Sequence, residues 1–318
     1  MSNQPTHRLF RQCRQHIAGW LLGLLCACLT LTAQAEDSWR DKMEGLIYAP
    51  RYFGPNAFPA PEMYGGKLPT RWAVEVRGDF HQMKNDGDDT KDIYASLYIP
   101  VAKGKAGVKI QGVIREFYET SEAVRDERSA VGTKSPIPCY GDVIVNCHYQ
   151  VLQSERWADI TVSANLKTAS GGRVCDARFT DAVTYWFDAN IGRDLWHNAE
   201  ASLRVQGLVG FYCWMTNDMI HRQNDAFCYG LGLTGQWRAF TLSGLYQGIQ
   251  GYEKEGDRPM SIRLRLEYEL KKNALAFQFK QGMKDDYVDL AHKISITIHG
   301  SLTHSIENFA ALSEKENS

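Results

Sequence analysis

The chain has 318 residues, a formal net charge of −1, 44% hydrophobic and 23% charged residues, and a mean hydropathy of −0.37. That balance excludes a nucleic-acid binder built on bulk positive charge and gives no reason to expect an acidic partner. Beyond the first 35 residues no stretch is apolar for the roughly 18 residues a spanning helix needs, so a membrane location requires a closed β-barrel.

The first element is a leader. Arg8, Arg11 and Arg14 form a basic start without acids, AGWLLGLLCACLTLTA (18–33) is apolar, and Ala33-Gln34-Ala35 precedes Glu36 as a small-residue cleavage site. This is the pattern of a secretory signal peptide over 1–35. Its removal leaves 33 basic against 37 acidic residues, a net charge of about −4. Five cysteines follow it: Cys139, Cys147, Cys175, Cys213 and Cys228. In an oxidising compartment an odd number leaves a free thiol or an intermolecular bond. Cys139 with Cys147 and Cys213 with Cys228 suit loop-closing pairs; buried free cysteine is the other reading. Their spacings match no zinc pattern.

Residues 36–71 are rich in Pro, Gly and aromatics and have neither helical nor strand period. This irregular segment reads as a plug or docking strip at the periplasmic mouth of a barrel, with a periplasmic partner in the second case, or as an extended lead-in along the surface. Its Tyr52-Phe53-Gly54-Pro55-Asn56-Ala57 followed by Pro59-Ala60-Pro61 resembles the opening segment of a group of barrel-like outer-membrane proteins of Bacteroidetes-type bacteria. The likeness covers about a tenth of the chain plus the general barrel pattern. It implies an outer-membrane β-barrel and transfers no catalytic or ligand residue.

From Trp72 to about Gly300 the sequence alternates in segments of roughly ten residues broken by turn chemistry. In chain order these are TRWAVEVRGDF, DIYASLYI, GVKIQGVIREF, DVIVNCHYQVL, DITVSANLKT, VCDARFTDAVTYWF, AEASLRVQGLVGFYCW, AFCYGLGLTG, FTLSGLYQGI, SIRLRLEYEL, ALAFQFKQG and HKISITIHG. The pattern predicts an all-β fold, an antiparallel up-and-down transmembrane barrel of about twelve strands over 72–300. Connections 82–91, 119–141, 212–226 and 250–259 are long, whereas 101–106, 152–156, 235–238 and 271–273 are short, the asymmetry of an outer-membrane barrel. Two connections break it: 168–173 is short on the long side and 188–197 long on the short side. Aromatics gather at segment ends (Trp72, Phe117, Tyr118, Trp157, Tyr185-Trp186-Phe187, Phe211-Tyr212, Trp214, Trp237, Tyr252), as interfacial belts do. The chain departs from the usual barrel ending, because a tail (301–318) with FAALSEKENS follows the last strand, and Phe309 stands where a terminal aromatic strand is expected.

The face assignment carries the reading. In 262–270, Ile262, Leu264, Leu266, Tyr268 and Leu270 alternate with Arg263, Arg265, Glu267 and Glu269. A soluble sandwich would bury the aliphatic set; a membrane barrel would turn it to lipid and close the charges around a lumen. Nearly every segment pairs an uncharged face with a charged one, which favours the barrel, since a charge facing lipid costs about 2–4 kcal/mol at mid-depth. The lumen candidates are therefore Glu75, Arg77, Asp79, Glu200, Arg204, Arg263, Arg265, Glu267 and Glu269.

Catalytic patterns such as G-x-S-x-G and H-E-x-x-H are missing from the sequence, and no cofactor is expected. Asn85-Asp86-Gly87-Asp88-Asp89 suits either a calcium loop or a plain turn. His148 on a polar face suits either a lumen histidine or the base of a membrane hydrolase. Glu267 and Glu269 share a face, but Arg263 and Arg265 beside them read as ion-pair partners rather than glycosidase chemistry. The expectation is a non-enzymatic outer-membrane barrel in contact with lipid, porin-like: a small channel or a structural/binding barrel. A soluble periplasmic β-sandwich or ligand-binding barrel is the alternative, and a membrane hydrolase the third reading.

Overall fold

The computed structural model describes residues 53–82, 89–130, 137–172, 181–215, 223–253, 257–270, 273–284 and 295–298. The leader 1–35, residues 36–52, Asn85–Asp88, Cys175 and the tail 301–318 lie outside the described residues.

Among the described residues, thirteen strands make up one antiparallel sheet: β1 (Ala73–Gln82), β2 (Asp89–Val101), β3 (Ala106–Glu119), β4 (Ile137–Cys139), β5 (Val143–Leu152), β6 (Asp159–Lys167), β7 (Thr184–His197), β8 (Ala201–Met215), β9 (Gln223–Trp237), β10 (Phe240–Gly251), β11 (Met260–Leu270), β12 (Asn273–Lys284) and β13 (Ser295–Ile298). The order follows the chain, β1-β2-β3-β5 through β13, so twelve strands run up and down. The short β4 pairs only with the far end of β3, opposite Glu116–Tyr118, beyond the reach of β5. Backbone of β13 comes within 8 Å of β1, which brings the two ends of the sheet together. The fold is an up-and-down β-barrel of the transmembrane type.

Side-chain placement is the inverse of a soluble protein. Ile262, Leu264 and Leu266 on β11 are 38–48% exposed, and Val76, Phe80, Phe187, Val209, Leu231 and Phe277 likewise face outward. Inside, the buried set is polar: Asp79, Asp92, Lys109, Gln111, Glu116, Asn146, Asn165, Lys167, Asp188 and Gln247 among others. A single layer of sheet with its aliphatics outside cannot be a sandwich, whose core lies between two apolar faces. The soluble sandwich is thereby excluded.

Six connections on one end (83–88, 120–142, 168–183, 216–222, 252–259, 285–294) are longer than most of those on the other (102–105, 153–158, 198–200, 238–239, 271–272). One irregularity predicted from the sequence disappears. Of the segment expected over 174–187, residues 174–180 lie outside the described residues, and β7 runs from Thr184 to His197, so residues 188–197 are strand rather than a long connection. DANIGRDLWH alternates as well, with Asp188, Asn190 and Asp194 inward and Ile191 and Leu195 outward. The connection 120–142 also carries a short helix, α1 (Glu122–Arg128), which the alternation gave no hint of; Ser121 Oγ caps it by accepting from Val124 N at 3.3 Å.

The aromatics predicted to form belts divide. Trp157, Phe117, Phe187, Phe211, Trp237 and Tyr252 are exposed on the outer surface, whereas Tyr118, Trp186, Tyr212 and Trp214 are buried. The second group faces the interior, where something apolar must cover it.

Candidate functional site

Tyr118 packs with Cys139; what covers Trp186, Tyr212 and Trp214 is the start of the described chain itself. Residues 53–72 run through the barrel interior. Pro55, Pro59, Pro61 and Pro69 lack a backbone donor, so beyond a single bridge at Phe53 this segment does not run as a strand. Its carbonyls are instead taken up by side chains of the wall. Tyr212 OH donates to Pro59 O at 3.1 Å, Gln247 Nε2 to Pro61 O at 2.6 Å, Arg204 Nε and Nη2 to Gly65 O at 2.9 and 2.7 Å, and Gln150 Nε2 to Gly66 O at 2.6 Å. Backbone donors are met too: Tyr64 N by Asn190 Oδ1 at 3.1 Å and Leu68 N by Gln150 Oε1 at 3.1 Å. Four different strands, β5, β7, β8 and β10, therefore hold one peptide.

Gly65 and Gly66 make the sharp turn in this segment, with φ of +60° and +77° and Lys67 N donating to Tyr64 O at 3.2 Å. Here glycine is required twice over. A Cβ on Gly66 would stand 2.1 Å from Asp159 O, and one on the wall residue Gly192 would stand 2.0 Å from Gly65 O.

The interior has two halves. On the β7–β10 side, Phe53, Ala57 and Phe58 pack with Trp186, Leu208, Tyr212, Trp214, Ala226, Cys228 and Ile249. Phe58 stands 4.8 Å from both Phe53 and Trp214, ring centroid to centroid, and Trp186 stacks on Tyr212 at 5.4 Å. Burying each phenylalanine contributes about 1.5–3 kcal/mol. On the side of β1–β3 and β11 the contacts are ionic. Arg77 Nε donates to Asp79 at 2.8 Å and its guanidinium lies over the Tyr94 ring; Arg265 reaches Glu267 at 2.9 Å and, from β11 to β1 past β12 and β13, Glu75 at 3.7 Å. From the inner segment, Glu62 pairs with Lys109 and accepts from Tyr64 OH at 2.5 Å, and Asn56 Nδ2 donates to Asp92 and Glu116 at 2.9 Å each. A cavity of about 110 Å³ remains between this segment and the wall, with Arg77, Arg263, Lys280, Glu62 and Asp142 on its lining.

Of the predicted lumen residues, Glu75, Arg77, Asp79, Arg204, Arg263, Arg265 and Glu267 stand on the inner face of the wall. Arg204 ties Asp159 (2.5 Å) to Asp194 (2.6 Å) while holding Gly65. Glu200 and Glu269 do not join them. Glu200 is exposed in the turn before β8, paired with Arg238 at 3.2 Å, and Glu269 is exposed at the end of β11. Alternation stops meaning inside and outside where a strand leaves the barrel wall. Sequence reasoning missed Glu62, Asp92, Lys109 and Glu116. Glu116 is the instructive case: a bulge in β3, where Ile93 opposes Arg115 and Tyr94 opposes Val113, shifts the phase so that Val113 and Glu116 both point inward. Regular alternation would have sent Glu116 to lipid.

At the end with the long connections, Asp142 accepts from Gly171 N at 2.6 Å and Ala182 N at 3.2 Å and pairs with Lys167, whose ammonium also donates to Ala182 O at 2.8 Å. Asp181 lies against this cluster, and burial, with the Asp142 charge beside it, pushes its carboxyl up to about 7.

His148 is buried against Tyr64, ring centroids 4.8 Å apart, and stands opposite Ser163 in register. The serine hydroxyl, however, donates to Asp188 at 2.6 Å, and His148 Nε2 meets no partner. In a triad the imidazole sits between serine and acid; here the serine does. Cys139 is not bonded to Cys147, nor Cys213 to Cys228, so neither expected loop-closing disulfide forms.

No protein family and no curated protein matches the chain in sequence. Among solved structures, the chain is similar to an outer membrane channel from Pseudomonas putida F1 (12% identity, 76% of this chain and 99% of that one, TM-score 0.48). It is similar also to a KdgM porin (8%, 72% and 98%, 0.44) and to outer membrane phospholipase A from Escherichia coli (12%, 80% and 99%, 0.38).

Proposed function

We propose that this protein is a non-enzymatic outer-membrane β-barrel, a narrow channel for small polar solutes whose path is filled by its own residues 53–68. The observation that carries the reading is the inverted packing together with the seat of the inner segment: aliphatics outward, ionic groups inward, and a proline-rich peptide bonded to the wall from several sides. Arg204 and Lys109 hold that peptide, while Arg77 and Arg265 neutralise carboxylates of the wall. Because the wall takes up the segment's carbonyls, an internal plug is favoured over a strip that docks a periplasmic partner. The likeness of residues 52–61 to the opening segment of barrel-like outer-membrane proteins supports the same location.

The test is conductance in planar bilayers. The full chain passes little current, and Arg204→Ala combined with Gln150→Ala, which releases the carbonyls of Gly65 and Gly66, raises it several-fold. Deleting 53–68 opens the path further. A deletion variant that folds yet stays silent overturns the channel reading and leaves a structural barrel.

A further inference from the structure

Three neighbouring strands place three carboxylates side by side on the inner wall. Asp79 on β1 is directly opposite Asp92 on β2, and Asp92 is directly opposite Glu116 on β3. His81, two residues after Asp79, points into the same space. All four are buried: Asp79 at 1%, His81 and Asp92 at 4%, Glu116 at 0% exposure. Like charges opposite one another across strands are destabilising, and burial raises the cost. A cation seated among them would offset that repulsion beyond what Arg77 and Asn56 supply.

The distances fit one. A ligand atom from each of Asp79, His81 and Asp92 lies within 4.8 Å of the others, and His81 Nε2 is already 2.8 Å from Asp92 Oδ2. A tetrahedral ion with bonds of about 2.0–2.1 Å needs ligand atoms roughly 3.4 Å apart, a closure that small side-chain movements supply. Glu116 gives the independent sign. Its Oε2 accepts from Asn56, the amide that also holds Asp92, whereas its buried Oε1 meets no hydrogen-bond partner.

We propose that Asp79, His81 and Asp92 form a binding site for a first-row divalent cation of the zinc type on the inner wall of the barrel, with Glu116 as the neighbouring carboxylate on β3. The donor set decides the class. An imidazole nitrogen with carboxylates suits zinc and its neighbours, whereas calcium and magnesium favour all-oxygen shells. The ion replaces the proton shared by His81 Nε2 and Asp92 Oδ2, which leaves to solvent. Asn56 and Arg77, bonded to the ligand carboxylates, orient them from outside the coordination sphere. Since Asn56 belongs to the inner segment, the ion fastens that segment to β1–β3. The site depends on which way the strands face and does not depend on whether the barrel conducts.

The experiment uses the full chain folded in detergent and stripped with a chelator, then dialysed in parallel against Zn²⁺ and Ca²⁺ and analysed for metal. One zinc per chain is expected, bound at least tenfold more weakly by His81→Gln and by Asp92→Asn, with both variants keeping the faster-migrating folded band on unheated gels. No retained zinc, zinc unaffected by either substitution, or calcium held as tightly as zinc each overturns the site. If a variant loses the folded band, the unaltered protein decides: copper–ascorbate oxidation mapped by mass spectrometry falls on His81 if the site exists, and sparing of His81 refutes it.

Discussion

At the scale of single residues, glycine and aspartate carry the sharpest expectations. Gly66 holds a positive φ and sits with its Cα against the Asp159 carbonyl. Gly66→Ala therefore strains the turn and pushes the segment off β6, a cost of about 1–3 kcal/mol for the backbone conformation alone. The expected result is a lower temperature at which the folded band disappears on unheated gels, with the segment more open to protease. Asp181 gives a pH dependence with a definite sign. Its folded carboxyl is raised from 3.8 to about 7, so its contribution to stability is full below about pH 4 and lost as the pH rises through about 7. Asp181→Asn keeps a side chain able to donate to Asp142 and carries no charge. It is expected to raise the melting temperature at pH 8 and leave it nearly unchanged at pH 4; an equal effect at both values would show that the charge is not the cause.

At the scale of elements, β11 separates the two environments residue by residue. Leu264→Arg puts a charge on the lipid face and is expected to cost about 2–4 kcal/mol if the position is near mid-depth, read as lost refolding yield into lipid vesicles. Leu264→Phe, apolar and outward, should fold normally. Equal tolerance of both substitutions would argue that hydrocarbon does not meet this face. Much of this was legible in advance. The period of two located eleven of the strands on the twelve-strand path to within a few residues, because alternation is enforced wherever one face is apolar for its whole length. It slipped at β7, where the apolar run VTYWF drew the segment too far toward the N-terminus and DANIGRDLWH was read as connection. The phase slipped at β3, where a bulge turned Glu116 inward. Nothing in a one-dimensional pattern marks a bulge that contains neither glycine nor proline.

At the scale of the whole molecule, the barrel is closed around its own chain. The wall by itself would expose Trp186, Tyr212 and Trp214 to the lumen, and those rings are covered by Phe53 and Phe58 from the inner segment. That pairing joins residues more than 120 positions apart, so no local signal announces it. The amino-acid order determined that strands form, roughly how many lie on the main path and which faces are greasy, since these follow from side-chain alternation along each strand. Only the tertiary structure decided where 53–72 goes and which charges meet. A proline-rich peptide without period has no preferred neighbour until a curved wall surrounds it, and Asp79, Asp92 and Glu116 become one cluster only when strand register sets them level.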